Sequence, residues 1–179
     1  MKTELDATDR LRCPPPATPF HVVLVEPEIP PNTGNVARLC AATCSHLHLV
    51  GKLGFRVDEH AVRRAGLDYW HLVPVEQHAE LAGAEARVLE RTPAATIWFL
   101  SGHGGRSYLD ADFAPGDAFV FGKESVGLDP ALLEERRATV LGIPTLGGVR
   151  SHNLANAVAI VLYEALRKTG QLAAPTLAP

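Results

Sequence analysis

Four short polar segments of this chain contain side chains that could bind an anion, a nucleotide or a ribose. The first reads Asn-Thr-Gly-Asn-Val-Ala-Arg from Asn32 to Arg38 and follows a β-branched stretch and a pair of prolines. A helix that starts here would present unpaired backbone N–H groups to an anion, with Asn32 or Thr33 as its N-cap. Arg38 adds a permanent cation with a planar fork of donors. Taken alone, the segment fits a capped helix with a surface arginine equally well.

The second segment, 101–107, follows a predicted strand and comes close to the glycine fingerprint of dinucleotide-binding folds. It has serine in place of the third glycine, and the residues after it contain Pro115 and no helical period. The fingerprint needs a helix at that point to present its N-terminus to the pyrophosphate. A dinucleotide site is therefore disfavoured, and because Gly122-Lys123 is followed by glutamate, a Walker A loop is excluded.

The remaining two segments, 121–128 and 143–156, are also glycine-containing loops that follow predicted strands. In a parallel sheet, loops at the carboxyl ends of neighbouring strands meet in one crevice. Together with 101–107 they offer small residues, backbone groups and few charges. That composition suits a neutral, planar adenosine better than a polyphosphate, whereas each loop alone would be read as a simple turn or connector.

Short apolar runs alternate with helical patterns along the chain, which predicts an α/β protein with a parallel sheet and helices on both faces. We expect strands near 21–26, 46–50, 69–73, 96–100, 117–121 and 139–143. We expect helices near 32–44, 58–65, 77–91, 130–137 and 153–169. A single domain over 20–170 is predicted, flanked by a flexible N-terminal tail, 1–19, and a frayed C-terminal tail, 171–179.

Bulk composition limits the possible classes of function. The chain has 179 residues and a formal net charge of −3, which argues mildly against a nucleic-acid partner but allows a local basic patch. Its three cysteines and eight histidines show no metal-binding spacing, so no metal site is expected. No signal peptide or membrane-spanning run is recognised, which predicts a cytoplasmic protein without a membrane partner.

The last predicted helix has the clearest apolar period, at i, i+3, i+4 and i+7, and further apolar residues widen that face. Such a helix is either deeply buried or shared with a second subunit.

Three ordered motifs resemble the TrmL-like tRNA 2′-O-methyltransferases of the SPOUT superfamily. They are Glu-Pro-Glu-Ile-Pro-Pro-Asn-Thr-Gly-Asn-x-x-Arg from Glu26, Phe-Gly-x-Glu-x-x-Gly-Leu from Phe121, and Arg-Ser-x-Asn-Leu-x-Asn-Ala from Arg150. The resemblance also includes Leu-Gly-Phe from Leu53 and Arg-Arg-Ala-Gly-Leu-Asp-Tyr from Arg63. It spans about residues 20 to 168.

The resemblance implies a parallel α/β domain with a C-terminal trefoil knot that binds S-adenosylmethionine and works as a homodimer on tRNA. It implies a catalytic role for Arg38 and Asn35 at the reacting ribose. The residues that it places at the cofactor are Leu100, Gly122, Glu124, Ile143, Ser151 and Asn153. Those that it places at the RNA are Arg64, Arg150 and Tyr163.

The chain departs from the family pattern at several of these segments. Lys123 stands where proline is common, His152 where leucine or methionine is common, and Ala61 and Trp70 where arginine and histidine face tRNA. The expected activity is methylation of the wobble ribose, at cytidine or uridine 34. Methylation at another tRNA or rRNA site, or RNA binding without catalysis, are the alternatives.

Overall fold

The computed structural model describes residues 9–54 and 70–178. Its strands, in chain order, are β1 (Arg10–Arg12), β2 (His21–Val25), β3 (His46–Val50), β4 (Val75–His78), β5 (Ile97–Leu100), β6 (Arg106–Ser107), β7 (Ala118–Phe121), β8 (Val140–Gly142) and β9 (Thr176–Ala178). Seven of them form one sheet in the order β4-β3-β2-β7-β5-β8-β6, and each adjacent pair in it is parallel. The predicted α/β class and parallel sheet are therefore confirmed.

Helices cover both faces of this sheet, as predicted. They are α1 (Pro30–Thr43), α2 (Leu81–Arg91), α3 (Pro130–Glu135) and α4 (Leu154–Lys168). Because successive strand residues point to opposite faces, Val22 and Leu24 pack with buried residues of α1 and α4. Val23 packs on the other side with residues of α2 and α3. The sheet is thus buried on both faces, and this explains why its strands are continuously apolar.

Most predicted elements are confirmed, with shifted ends. The strand predicted at 69–73 is wrong: Trp70–Leu72 is a 3-10 turn, and the strand follows at Val75–His78. Because this strand includes residues 77 and 78, the helix predicted to start at 77 begins later, at Leu81. The helix predicted at 58–65 lies outside the described residues.

The two ends of the described chain lie together in the structure. Strands β1 and β9 pair antiparallel, with Leu11 opposite Leu177, and form a two-stranded sheet of their own. The sequence predicts flexible or frayed tails there and gives no sign of this pairing, because each strand has only three residues, too few for an alternation to be recognised. The domain limits remain a prediction.

A row of imidazoles crosses strands β2, β3 and β4 on the face covered by α2. His21 Nδ1 lies 3.0 Å from His48 Nε2, and His48 Nδ1 lies 3.0 Å from His78 Nε2. We call His21, His48 and His78 the imidazole chain. Burial, followed by the charges of neighbouring imidazoles, lowers the pKa of both His21 and His48 to about 3, so both rings are neutral near pH 7. A neutral imidazole has one donor and one acceptor, so His48 can form hydrogen bonds to both neighbouring rings without carrying a charge.

No helix in the described ranges is long and apolar enough to span a bilayer.

Candidate functional site

The carboxyl ends of β5, β7 and β8 lie next to one another in the sheet. Leu100 at the end of β5 is opposite Phe121 on one side and Leu141 on the other. Gly122 and Ile143 are the first residues after β7 and β8. The structure therefore brings Leu100, Gly122 and Ile143, three of the residues expected at the cofactor, to one edge of the sheet.

Glycines allow the chain segments at this edge to pack closely. A Cβ atom on Gly122 would lie 2.2 Å from the carbonyl carbon of Gly127, so the turn after β7 folds directly back onto the end of its strand. A Cβ atom on Gly104 would lie 2.4 Å from the carbonyl carbon of Leu141, and one on Gly102 would lie 3.7 Å from the carbonyl oxygen of Arg150. The loop after β5 thus contacts both β8 and the loop that follows it.

A polar network ties the loop after β7 to the first turns of α1 and α4. The Glu124 carboxylate accepts hydrogen bonds from the backbone N–H of Glu28 at 2.8 Å and of Ile29 at 3.3 Å, and from Asn32 Nδ2 at 3.0 Å. Asn32 Oδ1 accepts a bond from Asn153 Nδ2 at 3.0 Å. We call Glu124, Asn32 and Asn153 the carboxylate–amide network.

The network supplies the anion that the sequence predicts at the start of the first helix. The Glu124 carboxylate receives the N–H groups that lead into α1, where the helix dipole also favours negative charge. Because both of its oxygens bind this helix start, Glu124 holds the loop after β7 against α1. Its expected contact with the cofactor remains a prediction.

Asn32 has a place in the carboxylate–amide network that the sequence analysis does not predict. The predicted N-cap at Asn32 or Thr33 is wrong, since α1 begins at Pro30 and its cap, Ile29, makes no side-chain capping bond. Proline is well suited to the first helical position because its missing N–H would be unpaired there anyway. If the helix had been predicted to begin at the two prolines, Asn32 would have been placed inside its first turn, with its side-chain amide free to bind a residue outside the helix.

Asn153 has two roles at the start of α4. Its Oδ1 accepts the backbone N–H of Ala155 at 3.0 Å and so caps the helix, while its Nδ2 donates to Asn32. Ser151 lies two residues earlier and is exposed. The loop after β8 thus reaches the network through Asn153, and the expected contacts of Ser151 and Asn153 with the cofactor remain a prediction.

The residues expected at the RNA are more widely spaced. Asn35 and Arg38 are exposed on α1, and Arg38 lies six residues, or about 9 Å along the helix axis, beyond Asn32. Arg150 is exposed in the loop before α4. Tyr163 is 46% exposed on α4, ten residues or about 15 Å beyond Asn153. Arg64 lies outside the described residues.

Within residues 9–54 and 70–178, no group of three or more histidine, cysteine, aspartate or glutamate side chains is arranged to hold a metal ion.

The sequence is similar to those of known methyltransferases. A model of the SpoU rRNA Methylase family matches residues 19–163. A tRNA (cytidine(34)-2'-O)-methyltransferase of Acidovorax sp. (strain JS42) is 50% identical over 159 residues, which cover 88% of this chain and 96% of that protein.

Two solved structures share the fold. One, described as giving structural insights into the 2-OH methylation of C/U34 on tRNA, is 42% identical with a TM-score of 0.74 and covers 84% of this chain and 96% of its own. The other, the SpoU methyltransferase AviRb from Streptomyces viridochromogenes in complex with AdoMet, is 26% identical with a TM-score of 0.69 and covers 86% of this chain and 62% of its own. From the extent of the family match and the identity to these relatives, the chain belongs to the SpoU rRNA Methylase family.

Proposed function

We propose that this protein transfers a methyl group from S-adenosylmethionine to the ribose 2′-hydroxyl of nucleotide 34, a cytidine or uridine, in a tRNA. The observation that carries the proposal is the carboxylate–amide network, which joins the proposed cofactor loops to the helix that bears Arg38 and Asn35. The activity printed for the 50% identical relative supports the choice of nucleotide.

The residues at the carboxyl edge fit S-adenosylmethionine. Leu100, Gly122 and Ile143 provide apolar and backbone surface, and Ser151 and Asn153 add polar groups. In the same loop the Nε2 atom of His152 is buried and has no hydrogen-bond partner among the described residues, as expected beside a polar ligand. When bound, the cofactor supplies an electrophilic methyl group on a positively charged sulfonium.

The chain's own contribution is to align the ribose and help its hydroxyl lose a proton. An alcohol is a poor nucleophile near neutral pH, so position and charge stabilisation dominate. Arg38 stays protonated in a protein and therefore stabilises negative charge on the 2′-oxygen and binds a neighbouring phosphate. Asn35, one turn before it, orients the ribose. With the cofactor bound, these residues would hold the 2′-oxygen in line with the methyl group, and the hydroxyl proton would pass to water.

The RNA contacts and the homodimer belong to this proposal. Arg150 and Tyr163 are exposed and would contact tRNA, together with Arg64. On α4, Ala159 and Ile160 are only half-buried although apolar. A second copy packed against that helix would cover them and would also double the basic surface available to RNA.

A C-terminal trefoil knot is likewise proposed, supported by the contact of Gly102 with the chain at Arg150 and of Gly104 with β8. A cytoplasmic location is supported by three free cysteines and by the nature of the proposed substrate.

Mapping of 2′-O-methylated nucleotides in tRNA from a strain that lacks the gene tests the proposal. The methyl group at nucleotide 34 of at least one tRNA should disappear and should return with the wild-type gene but not with Arg38→Ala. Loss of a methyl group at another tRNA or rRNA position would contradict the assignment of the substrate. An unchanged map, together with no heat of binding for S-adenosylmethionine in calorimetry, would leave RNA binding without catalysis as the function.

A further inference from the structure

A groove of about 210 Å³ lies beside the proposed cofactor edge, at the carboxyl ends of β2, β3 and β7. Its lining combines two carboxylates, two ammonium groups and a short loop: Glu26, Glu28, Lys52, Leu53, Gly54 and Lys123. We call it the mixed-charge groove. Lys123 stands between Gly122 and Glu124, so one loop contributes to the groove, to the cofactor edge and to the carboxylate–amide network.

Both carboxylates of the groove are held in place by the chain. The Glu26 carboxylate pairs with Lys123 Nζ, and its backbone has a φ of 46°, a left-handed conformation that is unusual for a residue other than glycine. The Glu28 carboxylate accepts the backbone N–H of Ser125 at 3.0 Å. Such strain at a non-glycine residue suggests a functional constraint.

The charges on these carboxylates are also fixed. A hydrogen bond and the charge of Lys123 lower the pKa of Glu26, and hydrogen bonds from Ser125 lower the pKa of Glu28. Near pH 7 both groups are therefore ionised and only accept hydrogen bonds.

Close backbone packing forms the wall of the groove. Gly54 donates its N–H to the carbonyl of Pro27 at 3.1 Å, and a Cβ atom at Gly54 would lie 2.8 Å from the carbonyl oxygen of Glu28. At Gly51, which has a φ of 76°, a Cβ atom would lie 2.7 Å from the Cγ atom of Glu26. Glycine at both positions lets the loop after β3 lie directly on the chain after β2.

These features select the class of ligand. The two carboxylates balance the two ammonium groups, so the groove has no net positive charge that would favour an anion such as phosphate. The volume is below the roughly 300 Å³ at which pockets for drug-sized molecules begin, and it suits a single small heterocycle. A fixed carboxylate accepts a hydrogen bond from the N4 amino group of cytosine, whereas uracil presents a carbonyl oxygen at that position.

We infer that the mixed-charge groove binds the base of the methylated nucleotide and that the Glu26 carboxylate favours cytosine over uracil by accepting a hydrogen bond from its N4 amino group. The inference rests on the proposed function for the identity of that nucleotide. It adds a residue that sets substrate preference.

The test uses the full chain and two fluorescent anticodon-arm RNAs that differ only in cytidine or uridine at nucleotide 34. The wild-type protein should bind the cytidine RNA about tenfold more tightly, since one good base contact discriminates by about 1–3 kcal/mol. In Glu26→Gln the preference should fall to within about twofold, because an amide both donates and accepts, while affinity for the uridine RNA is retained. Glu80→Gln, which changes an exposed carboxylate outside the groove, should keep the wild-type preference.

Equal binding of the two RNAs by the wild-type protein would overturn the inference, as would an equal loss for both RNAs in Glu26→Gln. Loss of the preference in Glu28→Gln alone would overturn the assignment to Glu26. Methyl transfer measured on the same RNAs separates this result from the proposed function. Preferential binding without methyl transfer would contradict the proposed function and support the role of the groove. Equal methyl transfer to both RNAs would support the proposed function and contradict the role of the groove.

Discussion

The carboxylate–amide network lies at the carboxyl edge of the sheet, whereas the imidazole chain lies on the face that α2 covers. The first is built around the Glu124 carboxylate and joins the loop after β7 to the first turns of α1 and α4, through contacts between residues 92 and 121 positions apart in sequence. The second joins three neighbouring strands through His21, His48 and His78, of which His21 and His48 are buried and neutral near pH 7. The difference indicates that the first network positions the candidate site, whereas the second stabilises the sheet beneath α2.

This division follows from what each arrangement can do. A carboxylate that accepts three donors from other elements fixes how a loop sits relative to two helices, and small displacements at a site can cost about 100-fold in rate. The neutral rings of His21 and His48 add no charge that a substrate could contact. Their contribution is the satisfaction of buried polar groups, which are costly when left unpaired.

The largest expected effect is on turnover, in Glu124→Ala. Removal of the carboxylate frees the N–H groups of Glu28 and Ile29 and the Asn32 amide, and the loop after β7 loses its anchor on α1. We expect methyl transfer to nucleotide 34 to fall by about 100-fold in kcat/KM. Steady-state kinetics with tRNA transcripts checks this.

Glu124→Gln keeps one carbonyl oxygen as an acceptor and should recover part of the lost rate, and Glu80→Gln serves as the charge-matched control. If Glu124→Ala lost activity only in proportion to the fraction of unfolded protein, the network would have no positioning role.

A smaller effect, on stability and not on turnover, is expected for His48→Leu. The substitution leaves His21 Nδ1 and His78 Nε2 without their partner at the centre of the imidazole chain. An unpaired buried group costs about 1–3 kcal/mol, and the half-buried His78 should cost less than His21, so the free energy of unfolding should fall by about 2–4 kcal/mol. Urea unfolding followed by circular dichroism measures it, and kcat/KM at a temperature where the variant is folded should stay within about twofold of wild type. A rate loss comparable to that of Glu124→Ala would remove the distinction between the networks.

The imidazole chain also predicts how stability depends on pH. Burial and neighbouring imidazoles lower the pKa of His21 and His48 from 6.5 to about 3. The groups that face them are His46, His78 and Glu76 on the strands, with Arg87 and Arg91 from α2. Because the unfolded chain binds protons near pH 6.5 and the folded chain does not, stability is complete above that pH and declines as the pH falls towards 3.

Between pH 6.5 and 5 the slope should approach about 1.4 kcal/mol per pH unit for each of these histidines. Glu76, whose pKa is lowered, contributes only below its ordinary value of 4.5, so this interval reports the histidines. Urea unfolding at several pH values gives the slope of the unfolding free energy against pH. In His48→Leu this slope should be smaller than in wild type by about 1.4 kcal/mol per pH unit, the contribution of one proton. The same slope in both proteins would show that the pKa of His48 is not lowered in the folded protein.

Much of the fold can be predicted from the sequence because apolar runs and helix periods are local signals. The strands at β2, β3, β5, β7 and β8 are found that way, and so are the loops that follow three of them. The network around Asn32 could not be predicted, since its partners come together only when the strand order is known. The imidazole chain has the same origin: His46 and His48 share a face by alternation, but their neighbours depend on which strands lie beside β3.

The position of the transferred methyl group tests the account most directly. Purified wild-type protein is incubated with unmodified tRNA and S-adenosylmethionine that carries a labelled methyl group, and the labelled nucleotide is identified after nuclease digestion. The account predicts label on the 2′-oxygen of nucleotide 34, with little or none in the Glu124→Ala variant. Label at another nucleotide or on a base, or equal labelling by the variant, would contradict it.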